Sequence, residues 1–467
     1  MSHATSQVRW WRRVDTTSTA DPRERVGPTP SPALDNPVSF WGLMTFTFVL
    51  LLAPQALIPA LASFRLALVA GGVAIAAELF QRFAHRRPLM ALTPELWIVL
   101  LLFGWAAVTI PLSYWPGGSI SFLFGLYVKS LIIFWLLANV VGTVRRLRLV
   151  AWGLSLMAFV VAAFGIANYM SGKFLPGGMA NRIVGYEAPL TSNPNDLALL
   201  LNLILPFAVA MVLTSRGWGA RGVLLSCIAL SMIGVVVTFS RAGFVTLATI
   251  FVMYVWRLRK RPERGWAIAA LVLALISLPL LPSGYSERLN TIANIDADPT
   301  GSAKGRWAGM MAATTSVLHS PVTGSGLGMS VLALNDTLGK PVWLEVHNVY
   351  LQYAVDLGIP GLALFLLLLV RSIKHARSVG RRAARVRGLH ELACLAEGVE
   401  TSLIAFAVAA IFYPTAYHFY FYYVAGVALA ITTVCEAEAT RIASAGNRLP
   451  GEVRVRPSLF SRSNVAR

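Results

Sequence analysis

His347 stands two residues after Glu345 and three before Tyr350, at the mouth of a long apolar run. An unperturbed imidazole titrates near neutral pH and can take a proton from a hydroxyl group. Glu345 shares its side if the segment is extended, where its carboxylate could orient the ring. The bland alternative is an interfacial histidine bonded to a carbonyl, and the residues alone leave both readings open. The other histidines carry less. His3, His85, His375 and His390 fall in the N-terminal tail or in basic loops, while His319 and His418 lie on the same face as His347.

Arginine supplies the second kind of chemistry. Arg241 sits in Val237-Thr238-Phe239-Ser240-Arg241-Ala242-Gly243, a polar hinge between two apolar runs. A charge at such a place is costly and marks a functional site by default, the alternative being a side chain that snorkels or pairs with a carboxylate. Arg306, in Gly305-Arg306-Trp307, is equally compatible with a solvated surface residue. A guanidinium donates two parallel hydrogen bonds to one phosphate and stays charged at any working pH. Several arginines on one face of a membrane protein could clamp a pyrophosphate whose lipid tail stays in the bilayer.

The mount for these residues is apolar. The chain has 467 residues, of which 56% are hydrophobic and only 13% charged, with a mean hydropathy of +0.64. Runs of about 20 apolar residues, each long enough to cross a bilayer core of about 30 Å, recur along it. The expected class is an all-α integral membrane protein with about twelve transmembrane helices. The spans are 38–57, 61–80, 93–112, 120–141, 149–170, 195–214, 222–239, 242–256, 265–281, 348–370, 395–413 and 416–435. Basic residues fill alternate loops, at Arg82–Arg87, Arg145–Arg148, Arg216–Arg221, Arg257–Arg264 and Arg371–Arg387. The positive-inside rule puts those loops and both termini in the cytoplasm. The net charge of +19 is therefore read as membrane topology, and nucleic-acid binding is excluded.

This map divides the chain into a disordered cytoplasmic tail (1–37), helices 1–9 (38–281), a large outside loop (282–347), helices 10–12 (348–435) and a second cytoplasmic tail (436–467). The loop holds Arg288, Lys304, Arg306 and Lys340, while Lys173 and Arg182 lie in a smaller outside loop. Within the large loop, residues 302–320 read as a helix with a stripe of Trp307, Met310, Met311, Thr314 and Leu318. Gly324-Ser325-Gly326-Leu327-Gly328 reads as a tight turn whose N–H groups can approach something closely. Asn193-Pro194-Asn195-Asp196 opens the sixth span as a helix cap and, as a second reading, lines the outer cavity. Lys129, Glu78, Asn139, Asn202 and Asp356 are scattered polar residues that form no relay. Cys227, Cys394 and Cys435 are far apart, and no spacing of His, Cys and carboxylates suggests a metal or cofactor site. A metal-independent reaction is expected.

Several short motifs, in their order and topological placement, resemble the O-antigen ligase/polymerase superfamily of bacterial inner-membrane glycosyltransferases. They are Asn193-Pro194-Asn195-Asp196, Ser240-Arg241-Ala242-Gly243, Gly305-Arg306-Trp307, His319-Ser320-Pro321-Val322-Thr323-Gly324-Ser325-Gly326, His347-Asn348-Val349-Tyr350-Leu351-Gln352 and Gly358-Ile359-Pro360-Gly361. The resemblance covers roughly residues 40–435. It implies a periplasmic active site and transfer of a glycan from undecaprenyl pyrophosphate to a sugar hydroxyl of lipid A–core, by direct inverting displacement. It also implies that His347 is the catalytic base and that Arg241 and Arg306 bind and neutralise the leaving group. Arg182, Arg288, Asn195 and Tyr350 complete the candidate substrate-binding set. Asp356, the only acidic residue soon after His347, is given no catalytic role. An O-antigen polymerase or protein O-oligosaccharyltransferase shares the same chemistry. A flippase or transporter of lipid-linked oligosaccharide would instead line the bilayer midplane with charge.

Overall fold

The helices begin where a polar cap meets a proline or an apolar run. In the computed structural model, Asn36 accepts from the Val38 and Ser39 N–H groups ahead of α1 (Pro37–Leu52). Thr93 caps α3 (Pro94–Thr109) and Thr143 caps α5 (Val144–Met170). Asn193 caps α6 (Pro194–Thr214), Ser240 caps α8 (Arg241–Leu258) and Asn348 caps α11 (Val349–Ala383). Each side-chain oxygen satisfies a backbone N–H that the helix cannot. The other helices, short turns aside, are α2 (Leu66–Ala84), α4 (116–140, with a π turn at Leu123–Tyr127), α7 (Trp218–Val237), α9 (Ser302–His319), α10 (Ser330–Leu338), α12 (His390–Ala409) and α13 (Phe419–Gly446).

The structure describes residues 36–89, 93–174, 182–183, 185, 193–259, 261, 264–265, 268, 302–339 and 343–446, all within one compact unit. Ten helices among them are long and apolar enough to cross a membrane, and the 16-residue α1 is a shorter apolar helix. The expected ninth span, 265–281, and both tails lie largely outside the described residues, and the other eleven expected spans correspond to these eleven segments. The tenth span is longer than the apolar run suggested. α11 continues through Ala383 because its basic extension finds acidic partners. Arg371 and His375 face Glu95, and Arg377 meets Glu400. α13 likewise runs on to Gly446.

Ion pairs gather at one end of the bundle. Buried Glu400 takes Arg257 at 2.8 Å and Arg377 at 2.6 Å, Glu397 takes Arg261, and Glu391 takes Arg148. The scattered polar residues are largely structural. Glu78 binds Arg82, which also donates to Asn139, and Asn202 donates to the Gly243 carbonyl at 2.9 Å. Lys129 is exposed. Behind these ends, α4, α11 and α13 share a buried aromatic cluster. The Tyr353 and Tyr422 hydroxyls are 3.0 Å apart, Tyr422 donates to Tyr127, and Tyr353 stacks on Phe365.

α11 is broken near its start, and the break organises the opposite end. Gly358 has φ 68° and ψ −175°, a conformation essentially reserved for glycine, and Pro360 follows. The break releases carbonyls that a continuous helix would use. The Val355 carbonyl accepts from the Ser325 N–H at 2.7 Å and its hydroxyl at 2.9 Å. The Asp356 carbonyl accepts from the Gly326 N–H, and the Leu357 carbonyl from the Trp105 indole at 2.8 Å. Ile359 N–H donates to the Pro321 carbonyl. The glycine-rich turn therefore binds the broken helix and not a ligand. A Cβ at Gly324 would sit 2.6 Å from the Asp356 carbonyl, and one at Gly326 2.1 Å from Ser113.

At Gly358 a Cβ would meet the Val322 carbonyl oxygen at 2.1 Å. Gly358→Ala is expected to destabilise the protein by at least about 3 kcal/mol, from backbone strain plus this clash. Thermal unfolding in detergent should show a clear fall in midpoint. A wild-type melting curve would mean that the break is not held this way.

Candidate active site

At the end opposite the ion pairs, the starts of α6, α8 and α11 converge with the α12–α13 loop. The hinge motif works as one unit. Phe239 adopts a left-handed φ of 51°, turning the chain so that Ser240 caps α8 by accepting from the Gly243 N–H at 3.1 Å. Gly243 lets α8 press on α6, since a Cβ there would lie 2.6 Å from that of Ala198. The Ser240 hydroxyl also donates to Asn195 Oδ1 at 2.9 Å. The same oxygen accepts from Arg182 Nη2 at 2.9 Å. Arg241, half-buried, is the first residue of α8 and follows directly on this joint. Three expected residues, Arg182, Asn195 and Arg241, are thus brought to one place.

His347 lies just before the Asn348 cap of α11, in the irregular stretch 343–348. Its backbone is anchored by the two residues that follow. Asn348 Oδ1 accepts from the Leu351 N–H at 3.1 Å, and Val349 N–H donates to the Ala410 carbonyl at 2.7 Å. The imidazole Nδ1 is 2.9 Å from the Glu345 carbonyl oxygen. A carbonyl can only accept, so Nδ1 carries the proton and the neutral ring presents Nε2 as a bare acceptor. Glu345 thus orients the ring, but through its main chain and not its carboxylate.

Desolvation lowers the His347 pKa below its ordinary value. The Glu345 hydrogen bond opposes this, the nearby Arg306 guanidinium adds to it, and the Glu345 charge opposes it again. The net direction favours the neutral base. Arg306, near the start of α9, is therefore within electrostatic reach of His347.

Tyr413 joins these groups and was not singled out from the sequence. Its ring is fully buried in the α12–α13 loop, beside the Ser240 hydroxyl, with Asp196, Arg306 and Arg182 within electrostatic reach. Burial raises its phenol pKa, so it stays neutral. A lone tyrosine next to an apolar run carries no local signal, and only long-range packing places it.

Other expected residues stand differently. The Tyr350 hydroxyl donates to the Ala407 carbonyl at 2.7 Å, which commits its proton to helix packing. Arg288 and Lys340 lie outside the described residues, and Lys304 is exposed. His319 Nδ1 bonds the Thr315 carbonyl at the end of its own helix. The stripe on α9 is oriented opposite to a core-facing reading. Trp307, Met311, Thr314 and Leu318 are exposed, and the packed face is Ala312, Ala313 and Ser316 against Val346 and Val355. No group of three or more His, Cys, Asp or Glu among the described residues is placed to hold a metal ion.

Residues 225–366 match the family model described as O-antigen ligase. The similarity to the O-antigen ligase superfamily rests on this part of the chain. The matched segment contains Arg241, Arg306 and His347, whereas Arg182 and Asn195 come to the rim from outside it. The superfamily comprises glycosyltransferase-like ligases and polymerases, whose substrates are lipid-linked glycans in a membrane environment. No curated protein matches the chain.

Proposed function

We propose that the protein is an O-antigen ligase. It transfers a glycan from undecaprenyl pyrophosphate to a sugar hydroxyl of lipid A–core, on the periplasmic side of the bacterial inner membrane. The observation that carries this reading is the His347 ring. Its Nδ1–H is committed to a main-chain carbonyl, its Nε2 is bare, and a guanidinium stands nearby. Nε2 takes the proton of the acceptor hydroxyl as the oxygen attacks the anomeric carbon of the donor. The bond from that carbon to the pyrophosphate oxygen breaks, with inversion. Negative charge grows on the leaving pyrophosphate, where the fixed charges of Arg241 and Arg306 offset it. Arg182 and Asn195 support the same rim. The basic residues at the opposite end of the bundle favour a periplasmic site.

Removing the gene tests the reading. Surface glycan should vanish from lipopolysaccharide while lipid-linked polymer accumulates. Lipopolysaccharide still carrying a single repeat would point to a polymerase. Purified protein in detergent should transfer glycan between added donor and acceptor. A transporter gives no transfer there, because no compartments exist.

A further inference from the structure

Helix α9 is apolar on two sides, and the protein covers one. Ala312 and Ala313 pack into a small cluster with Ala333, Leu334, Val346 and Val355, and Ser316 is buried on the same side. On the other side Trp307 is 58% exposed, Met311 55% and Leu318 76%. With Thr314 they recur at the spacing of a single helical face. A second apolar face on a helix calls for a second apolar surface against it.

Two observations identify the surroundings. The first is continuity. Val322, just beyond α9, is exposed, and its neighbour Pro321 accepts the Ile359 N–H at 2.8 Å. Ile359 opens an exposed apolar stripe on α11 with Ala363, Leu366, Leu367 and Val370. α11 is a membrane-crossing helix, so this stripe faces acyl chains, and the Pro321–Ile359 bond ties the end of the α9 segment to its start, with only His319 and Ser320 between Leu318 and Pro321.

The second is depth. Arg371 of α11 pairs with Glu95 at the basic end of the bundle. A hydrocarbon core of about 30 Å takes about 20 helical residues to cross. Counting back from Arg371 reaches the neighbourhood of Leu351. Leu351 and Val355 are the α11 residues in the cluster that holds Ala312 and Ala313 of α9. α9 therefore lies at the level where the hydrocarbon ends on the side of the site.

We propose that the Trp307–Met311–Thr314–Leu318 face of α9 is a membrane-docking surface, seated in the headgroup–acyl boundary of the leaflet beside the active site. A tryptophan at one end of the stripe suits that boundary, where its ring is half apolar and half wet. Arg306 is one residue from Trp307, about 100° round the helix, so the seating also sets the height of its guanidinium relative to the lipid headgroups. Docking itself does not depend on the reaction assigned above.

The test uses the full chain in vesicles of phosphatidylethanolamine and phosphatidylglycerol. Nitroxide labels are placed on Met311→Cys, Thr314→Cys and Leu318→Cys, with exposed Asp336→Cys as the aqueous reference. The native cysteines are buried, so the unmodified chain supplies the blank. Dissolved oxygen concentrates among acyl chains, and a nickel chelate stays in water. The three stripe labels should relax more with oxygen than with nickel, and the Asp336 label the reverse. Nickel dominating at the stripe overturns the proposal. So does inaccessibility to both reagents, which would mean that protein covers this face.

Discussion

His347→Ala should lower the transfer rate of purified protein by about 10²- to 10⁴-fold, the usual worth of a positioned general base. The fold should survive, because the anchors of this stretch are the Asn348 side chain and the Val349 N–H, not the imidazole. The pH dependence sharpens the expectation. Only the neutral ring can accept a proton, so kcat/KM falls as pH drops through the His347 pKa. Desolvation sets that pKa below the ordinary 6.5. The acidic limb of the wild-type profile should therefore lie below that value and be missing from the residual activity of the variant. An alanine variant with full activity removes His347 from the mechanism.

Arg306→Ala should cost about 10²- to 10³-fold in rate, the range seen when one fixed stabiliser of developing negative charge is lost. It should also move the limb due to His347. A neighbouring cation disfavours imidazolium and lowers the pKa, so its removal raises the pKa and shifts the limb to higher pH. Arg306→Lys keeps the charge but not the planar fork. Its limb should return towards the wild-type position while the rate recovers only in part. Rate loss with an unmoved limb would show that the two side chains are not neighbours in the working protein.

The bundle was largely legible in the sequence because lipid imposes long, uninterrupted apolar runs. Caps such as Asn193, Ser240 and Asn348 marked where several of them start. The helix at 302–319 was legible too, through its spacing. Its orientation was not. In a soluble domain an apolar stripe means the core, but here Trp307, Met311 and Leu318 are exposed while the small Ala312 and Ala313 are packed. The glycine-rich turn showed that something comes close without showing what, since its partners, the carbonyls of Val355 and Asp356, exist only because Gly358 and Pro360 break α11. Tyr413 could not be found because its meeting with Ser240 spans more than 170 residues of chain. Glu345 was noticed for its carboxylate, whereas its carbonyl holds the ring.

That last substitution of main chain for side chain bears on how the enzyme can change. A hydrogen bond to a backbone oxygen survives replacement of every side chain at position 345. The tautomer of His347 is thus insulated from point mutation, while the surrounding charges stay free to vary. Descendants of this protein can retune the acidity at which they work without first dismantling the proposed proton acceptor.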